Sequence, residues 1–266
     1  MEKSIEVHNL TVSYHSKPVL WDVDFSLPTG KIVGIVGPNG SGKTTMLKTI
    51  MGLMKPDSGY TEVFGQPLDN VRERVSYVPQ RESVDWDFPA DVMDVVLMGR
   101  YRKNNLFRRI SKDDKRIATE ALEKVNLLEF AHRQISQLSG GQQQRVFIAR
   151  SLAQQADIYL MDEPFVGVDA ATEDAILQLL REMKNQGKTV IIVHHDLHTA
   201  NEYFDHIVLL NTRLVAAGPK EKVFTKELLQ EAYGGRLTLL SKLGDLISTE
   251  EFPLREPEFK ENKPEK

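Results

Sequence analysis

The sequence predicts an α/β protein with a mostly parallel sheet, an antiparallel β subdomain and an inserted helical subdomain. Short apolar runs, as at residues 31–36 and 158–161, are typical of strands buried on both faces of a parallel sheet. Segments with helical spacing alternate with these runs, which favours a sheet covered by helices on both sides. Residues 5–14 instead alternate apolar and polar side chains, as antiparallel strands do.

The N-terminal region is predicted to contain two antiparallel strands, a buried strand and a helix. The alternation at residues 5–14 recurs at residues 23–27, just before a turn. The buried strand at 31–36 leads directly into a glycine-rich loop at 37–44, and a helical pattern then continues to a predicted end near Gly52.

A mostly helical pattern, which we interpret as an insertion, runs from about residue 91 to about residue 155. Its apolar residues at helical spacing include Val92, Val95, Val96, Ile117, Ala121, Leu122 and Val125. Strands are then predicted at 158–161, 189–193 and 206–210. A helix between the first two is capped by Asp169 and closed by Gly187.

These patterns divide the chain into one folded domain and a tail. The domain spans residues 1–248, with a core of about 1–84 and 156–248 and the helical insertion at about 85–155. Residues 249–266 are charged and contain three prolines, so we expect this tail to be disordered.

Composition limits the classes of function. The 266 residues include 34 basic and 38 acidic side chains, and the net charge of −4 argues against a general nucleic-acid binder. There is no cysteine, which excludes disulfides and thiolate metal sites. The start of the chain lacks the apolar segment of a secretory signal, and no apolar run approaches the roughly 18 residues that cross a bilayer. We expect a cytosolic protein that would serve a membrane only through a partner.

The loop at residues 37–44 matches G-x-x-x-x-G-K-[ST], a phosphate-binding loop that indicates ATP or GTP. Its glycines permit the backbone geometry, Lys43 neutralises phosphate charge, and Thr44 is placed to ligate Mg²⁺. The predicted strand before the loop and the helix after it are the context that this motif requires. The candidate nucleotide-binding residues here are Gly37, Pro38, Asn39, Gly40, Ser41, Gly42, Lys43, Thr44 and Thr45.

A second glycine-rich turn at residues 138–142 leads into a predicted helix and is a second candidate anion site. Two phosphate sites in one modest domain suggest a nucleotide held between two copies of the protein. The candidate binding residues in this turn are Ser139, Gly140, Gly141 and Gln142.

Two carboxylates follow the strand at residues 158–161 and are therefore predicted at the carboxyl edge of the sheet, where α/β proteins bind ligands. Asp162 would support the Mg²⁺ shell, and Glu163 could polarise a water for attack on the γ-phosphate. Taken alone, the pair could equally be a solvated strand end that caps a helix or closes a turn.

His195 follows the strand at residues 189–193 and is predicted near Glu163, within reach of a γ-phosphate. Neighbouring residues at a strand end point opposite ways, so we do not expect His194 and His195 to share a metal, and we interpret His194 as a plain surface histidine. Gln80 could coordinate Mg²⁺ or water, and Tyr14 could stack on adenine, although a strand-edge aromatic is the simpler alternative.

Residues 85–89 combine Trp86 and Phe88 with two acids and a proline. Aromatic residues in such a segment favour a loop that docks on a partner over a contribution to the core.

Together these segments resemble the ATP-binding subunits of ABC transporters from Tyr14 to about Leu214. Residues 37–44 match the Walker A loop, Gln80 the Q-loop, 138–142 the signature, 158–163 the Walker B strand, 166–169 the D-loop, His195 the H-loop histidine and Tyr14 the adenine-stacking aromatic. The D-loop departs from the commoner Ser-Ala-Leu-Asp form but keeps Asp169.

The resemblance implies a P-loop NTPase core and a head-to-tail homodimer with two ATP molecules at its interface. Ser139 and Gly141 would bind the γ-phosphate of the nucleotide held by the other subunit. The implied catalytic residues are Glu163 as general base, His195, Gln80 and Lys43. The implied Mg²⁺ site comprises Thr44, Gln80 and Asp162. The resemblance also adds Asp169 to the nucleotide-binding residues.

Residues 83–89 and 94–101 look like those of bacterial manganese, zinc and iron importers. That group pairs the ATPase with two membrane permease subunits at the cytoplasmic face of the membrane and with an extracytoplasmic metal-binding protein. Importers of siderophore, haem or cobalamin are an alternative. A non-transport ABC ATPase or a P-loop regulatory switch is more distant, because fewer than about 100 residues separate Thr44 from Leu138 and a single cassette is present.

Overall fold

A computed structural model describes residues 2–15, 17–101 and 109–234 of the chain. The charged tail predicted at 249–266 lies outside these described residues. In the described ranges no helix is both long and apolar enough to cross a membrane.

The strands are β1 (Lys3–Tyr14), β2 (Lys17–Pro28), β3 (Ile32–Val36), β4 (Ser58–Val63), β5 (Val75–Val78), β6 (Ile158–Asp162), β7 (Thr189–Val193), β8 (His206–Asn211) and β9 (Arg213–Pro219). The helices are α1 (Lys43–Ile50), α2 (Leu68–Val71), α3 (Val92–Leu97), α4 (Lys112–Lys124), α5 (Gly140–Ala153), α6 (Ala170–Asn185), α7 (Leu197–Tyr203), α8 (Lys220–Val223) and α9 (Lys226–Tyr233).

The larger sheet of the described chain has six strands in the order β5-β6-β7-β3-β8-β9. Strands β5, β6, β7, β3 and β8 pair in parallel, and β9 closes the edge antiparallel to β8. The parallel strands therefore end at one edge, where the loops after β3, β6 and β7 meet.

Both faces of this sheet are covered, which explains the continuous apolar runs in the sequence. Val33 and Ile35 of β3 pack into a core shared with α1 and the antiparallel sheet. Ile32 and Val36 face the opposite core, to which α6 and the helices between β5 and β6 contribute. Because successive side chains in a strand point to opposite faces, a doubly covered strand has no polar position left.

The smaller sheet is antiparallel, with the order β2-β1-β4. Val7 of β1 lies opposite Phe25 of β2 and Thr61 of β4. Ile5, Val7 and Phe25 are buried while the intervening residues are partly exposed, as the alternating pattern predicts.

The inserted segment contains α3, α4 and α5, which pack on one another. Arg100, just after α3, pairs with Asp114 of α4 at 3.0 Å, and its Nη1 donates to the carbonyl of Ala153 at 2.7 Å. Because both charged side chains are buried, loss of either one would leave an uncompensated charge in the interior.

The α/β fold class and the inserted helical subdomain are confirmed, whereas several boundaries differ from the predictions. Strand β2 begins at Lys17 rather than near Val23, because pairing with β1 extends it through Pro18. Strands β4 and β9 were not predicted; both are edge strands in which most residues are exposed or partly exposed.

Candidate nucleotide site

The glycine-rich loop connects β3 to α1, whose first residue is Lys43. Gly42 caps the helix with a left-handed φ of 96°. A Cβ on Gly42 would lie 2.5 Å from Leu20 Cδ2 and 2.8 Å from the carbonyl oxygen of Val19, so a side chain there would collide with β2. The N-terminus of α1 directs its unpaired N–H groups and its positive dipole end into the loop, as phosphate binding requires.

Lys43 lies inside this loop rather than in solvent. Its Nζ donates to the carbonyl oxygens of Gly37 and Pro38, both at 2.9 Å. Burial lowers the pKa of Lys43, and the carboxylates of Glu163 and Asp162 oppose that shift. The two carboxylates therefore stabilise the charged form of Lys43, and a bound phosphate would stabilise it further.

A pocket of about 490 Å³ opens above the loop. It combines the loop with side chains from the ends of β5, β6 and β7, as expected for the carboxyl edge of a parallel sheet. Its lining residues are Val19, Asn39, Gly40, Ser41, Gly42, Lys43, Thr44, Thr45, Gln80, Glu163, Val166 and His195.

Asp162 is fully buried at the end of β6 and contacts Thr44, which lines the pocket. The Thr44 hydroxyl donates to its Oδ1 at 3.0 Å, while its Oδ2 is buried and has no hydrogen-bond partner among the described residues. The pKa of Asp162 is raised to about 6: burial is the largest cause, the nearby Glu163 carboxylate acts in the same direction, and the bond from Thr44 partly opposes the shift. An orphaned, buried carboxylate oxygen beside a hydroxyl is an oxygen donor set that suits Mg²⁺.

Glu163 follows with an unusual backbone, since its φ of 51° lies in the left-handed region. The N–H of Glu163 donates to the carbonyl of Val193 at 3.2 Å, which ties this residue to β7. Gln80 Nε2 donates to Glu163 Oε2 at 3.1 Å. Left-handed non-glycine residues cluster at functional sites, where the surrounding structure holds the strain.

The two histidines after β7 have different environments. His195 is exposed and lines the pocket, whereas His194 is only 4% exposed. His194 Nε2 lies 2.7 Å from Thr199 Oγ1. The interpretation of His194 as a surface histidine is therefore wrong, because the strand alternation turns its ring into the core. Among the described residues no group of three His, Asp or Glu side chains forms a metal cluster.

Tyr14 lies at the end of β1, opposite Lys17, and is 45% exposed. Its ring is not among the described side chains that line the pocket. Val19, in the other strand of the same hairpin, does line it. Adenine stacking by Tyr14 stays a prediction.

The second glycine turn begins α5. Ser139 and Gln142 form a reciprocal capping box, in which the Gln142 N–H donates to Ser139 Oγ and the Ser139 N–H donates to Gln142 Oε1. Neither these residues nor Gly140 and Gly141 line the described pocket of the same chain. The second candidate anion site therefore lies outside the pocket above the first glycine-rich loop.

Asp169 caps α6 as predicted, because its Oδ1 accepts from the Thr172 N–H at 2.9 Å. Hydrogen bonds from the Thr172 backbone and side chain lower the pKa of Asp169. A role for Asp169 in nucleotide binding stays a prediction.

The docking-loop interpretation is wrong for Trp86, whereas docking by Phe88 stays a prediction. Trp86 packs edge-on against Phe147 of α5, with ring centroids 5.1 Å apart, and its Nε1 donates to the Arg81 carbonyl. Trp86 is thus a part of the helical core, whereas Phe88 is 54% exposed. The acidic neighbours of Trp86 made the segment look exposed in the sequence, because their own side chains do face solvent.

The raised pKa of Asp162 has a measurable consequence for stability. Between the unfolded pKa near 3.8 and the folded pKa near 6 the folded state binds more protons, so Asp162 destabilises the protein increasingly as pH rises through this window. We expect Asp162→Asn to raise the unfolding free energy of nucleotide-free, Mg²⁺-free protein by about 3 kcal/mol at pH 7.5 and about half as much at pH 5.0. Urea unfolding at both pH values measures this.

Asp69→Asn, which changes an exposed carboxylate, is the control and should give a small difference that does not depend on pH in this way. An Asp162→Asn variant with equal or lower stability than wild type at pH 7.5 would contradict the expected pKa shift.

Comparison with known proteins identifies the family. A protein-family model described as ABC transporter matches residues 20–166. The chain belongs to the ABC transporter family. It is 59% identical to the manganese transport system ATP-binding protein MntB of Bacillus subtilis over 89% of this chain and 94% of that protein. It is 56% identical to the zinc transport system ATP-binding protein TroB of Treponema pallidum over 88% of each chain.

A solved structure of the family is similar as well. It is a dimeric ATP-binding cassette in a post-hydrolysis state bound to ADP and Pi, with a TM-score of 0.70 and 31% identity over 81% of this chain and 98% of that one. The match confirms the P-loop NTPase fold and the binding of a nucleotide by this ABC transporter domain.

Sequence reasoning missed some residues of the site in this ABC transporter chain. Val19 and Val166 line the pocket, and Arg81 donates from Nη2 to Gln143 Oε1 at 3.1 Å beside Gly140. Val166 belongs to residues 166–169, which were matched to the D-loop, but only Asp169 of that segment was named as a site residue. No local signal marks Val19 or Arg81, because both depend on contacts between distant segments.

Proposed function

We propose that this chain is the ATP-hydrolysing subunit of an ABC importer that drives uptake of a divalent transition metal, manganese, zinc or iron, across the cytoplasmic membrane. The observation that carries the proposal is its 59% identity to a manganese transport ATP-binding protein over most of both chains. The similar zinc transport protein supports the same class of cargo.

Hydrolysis would use the side chains that converge on the pocket. The phosphate loop and Lys43 bind and orient the phosphates, and Glu163 accepts the proton of the attacking water. His195, which follows the neighbouring strand β7 and lines the same pocket, would contact the γ-phosphate. Gln80, whose amide already donates to Glu163 at 3.1 Å, keeps that carboxylate directed into the pocket.

Mg²⁺ fits this site through Thr44, Gln80 and Asp162. The buried, unpaired Oδ2 of Asp162 and the adjacent Thr44 hydroxyl supply the oxygen atoms that the ion prefers. When bound, Mg²⁺ neutralises phosphate charge that builds up during transfer.

We propose that two copies associate head to tail. Residues 139–142 lie outside the described pocket of their own subunit. Because a helix N-terminus binds anions, this one would bind the phosphate of the nucleotide in the other subunit's pocket. The similarity to a dimeric ATP-binding cassette supports this arrangement. Asp169, close in sequence to Glu163, would lie at the same interface.

A groove of about 350 Å³ between the core and the helical insertion supports binding to permease subunits. Leu53, Met98 and Tyr101 line it and are 56%, 41% and 53% exposed. Exposed apolar side chains beside Arg72 and Arg150 suit an amphipathic helix of a membrane protein. We propose that one cytoplasmic helix of each of two permease subunits binds there, which would hold the chain peripherally at the cytoplasmic face.

We further propose that residues 1–248 form one ABC ATPase domain, with residues 85–155 as the helical insertion and 249–266 as a charged tail. The metal would then reach the permease from an extracytoplasmic binding protein and would not contact this chain. No nucleic-acid partner is proposed. Uptake of iron-siderophore, haem or cobalamin is the second candidate cargo, and the manganese and zinc transport relatives argue against it.

Uptake of labelled manganese, zinc and iron after deletion of the gene tests the proposal. We expect at least one uptake to be lost, and to be restored by the wild-type gene but not by Glu163→Gln. Unchanged uptake of all three metals with lost uptake of a chelate would favour the second candidate. No change in any uptake would contradict the importer function.

A further inference from the structure

His194 is a buried polar residue for which the proposed mechanism has no use. Its ring is enclosed by aromatic side chains: Phe165 and Phe204 each have centroids 5.7 Å away and Tyr203 lies at 6.1 Å. Phe165 belongs to the segment just after Glu163, while Tyr203 ends α7. His194 therefore touches both segments that flank the two candidate catalytic groups.

A hydrogen-bond chain anchors the ring to the start of α7. The Thr199 hydroxyl donates to Asp196 Oδ2 at 3.2 Å and lies 2.7 Å from His194 Nε2. With the hydroxyl proton directed to the Asp196 carboxylate, the Thr199 oxygen would accept from His194 in the tautomer that carries a proton on Nε2. Burial, and secondarily the neighbouring His195, lower the pKa of His194 to about 4, so the ring is neutral at pH 7.

The same cluster reaches β3, which leads into the phosphate loop. Phe204 packs on Gly34 of β3 so closely that a Cβ there would lie 2.4 Å from its ring. The backbone N–H of His194 donates to the Ile35 carbonyl at 3.1 Å. The turn that carries His195 is thus joined to the strand before the loop and to the segment after Glu163.

We propose that His194 is a positioning residue for ATP hydrolysis, and that its hydrogen bond to Thr199 holds the turn between β7 and α7 so that His195 and Glu163 face the pocket together. The inference rests on the proposed function. A displacement of about 1 Å in a catalytic group can cost about a hundredfold in rate. Loss of the bond should therefore lower kcat about ten- to a hundredfold. It should leave KM for ATP within about twofold, because the phosphate loop is unchanged.

Matched variants separate positioning from packing. His194→Phe keeps an aromatic ring and removes the donor, Thr199→Val keeps the shape and removes the acceptor, and Thr199→Ser restores the hydroxyl. His194→Gln presents an amide N–H at a distance from the backbone similar to that of Nε2. We expect His194→Phe and Thr199→Val to reduce kcat by the same factor. The double variant should reduce kcat by no more than either single variant. His194→Gln and Thr199→Ser should retain most of the wild-type kcat.

The measurements are steady-state ATP hydrolysis, nucleotide affinity and thermal unfolding of each full-length variant. Wild-type kcat in Thr199→Val, multiplicative losses in the double variant, or a change in KM alone would overturn the inference. So would a loss of kcat in Thr199→Ser equal to that in Thr199→Val. Failure of the wild-type chain to hydrolyse ATP would instead overturn the proposed function.

Discussion

Glu163→Gln is expected to bind ATP with nearly wild-type affinity and to lose about 10²- to 10⁴-fold in ATP turnover, the usual contribution of a general base. Glutamine has the shape of Glu163 but cannot accept a proton at neutral pH. Gln80 Nε2, which now donates to Glu163 Oε2 at 3.1 Å, can still donate to the carbonyl oxygen of the new amide. ATP should therefore remain bound in a closed dimer.

Steady-state phosphate release, nucleotide affinity and the mass of the ATP-bound species measure the three expected results. Glu123→Gln makes the same chemical change at an exposed position on α4 and should match wild type in all three. Phosphate release at the wild-type rate from Glu163→Gln would remove Glu163 from the role of general base.

Ser139→Arg is expected to leave nucleotide binding by the single subunit intact and to abolish dimer closure, and with it turnover. The phosphate loop that binds nucleotide lies in a pocket that Ser139 does not line, so affinity should be kept. A long cationic side chain at the N-terminus of α5 would fill the space for the other subunit's γ-phosphate and repel the positive end of the helix dipole.

The sharpest measurement adds Ser139→Arg to the Glu163→Gln variant, in which the ATP-bound dimer should accumulate. Light scattering should then report a monomer with ATP. Ser139→Ala removes the cap, at a cost of about 1 kcal/mol, without the bulk, and Ser26→Arg places the same charge on an exposed site in β2. Both controls should still dimerise in the Glu163→Gln background. A stable ATP-bound dimer of the Ser139→Arg double variant would contradict a site shared between subunits.

Much of the fold was predictable from local pattern. The doubly buried strands β3, β6 and β7 appear as apolar runs because both of their faces are covered. Asp169 and Gly187 marked the ends of α6 because a helix start needs a side-chain acceptor and its end favours a left-handed residue. Edge strands β4 and β9 were missed because their stability comes from pairing with β1 and β8, which no local pattern reports.

The candidate site divides along the same line. The sequence predicted the phosphate loop from its residue types and their spacing. It also predicted polar site residues directly after strands, namely Asp162, Glu163 and His195. Their location at one edge could be expected, because parallel strands end at the same edge of a sheet. The sequence also indicates that the glycine-rich turn at residues 138–142 leads into a helix.

Long-range packing determines the rest. Gln80 and Glu163 are 83 residues apart and meet only because β5 and β6 are neighbours. The burial of His194 depends on Phe165 after β6, on Tyr203 at the end of α7 and on the adjacent Phe204. The separation of Ser139 from the pocket of its own subunit likewise requires the position of α5 against the sheet. Residue type determines which chemistry is available to this chain, whereas contacts between distant segments determine which groups can act together.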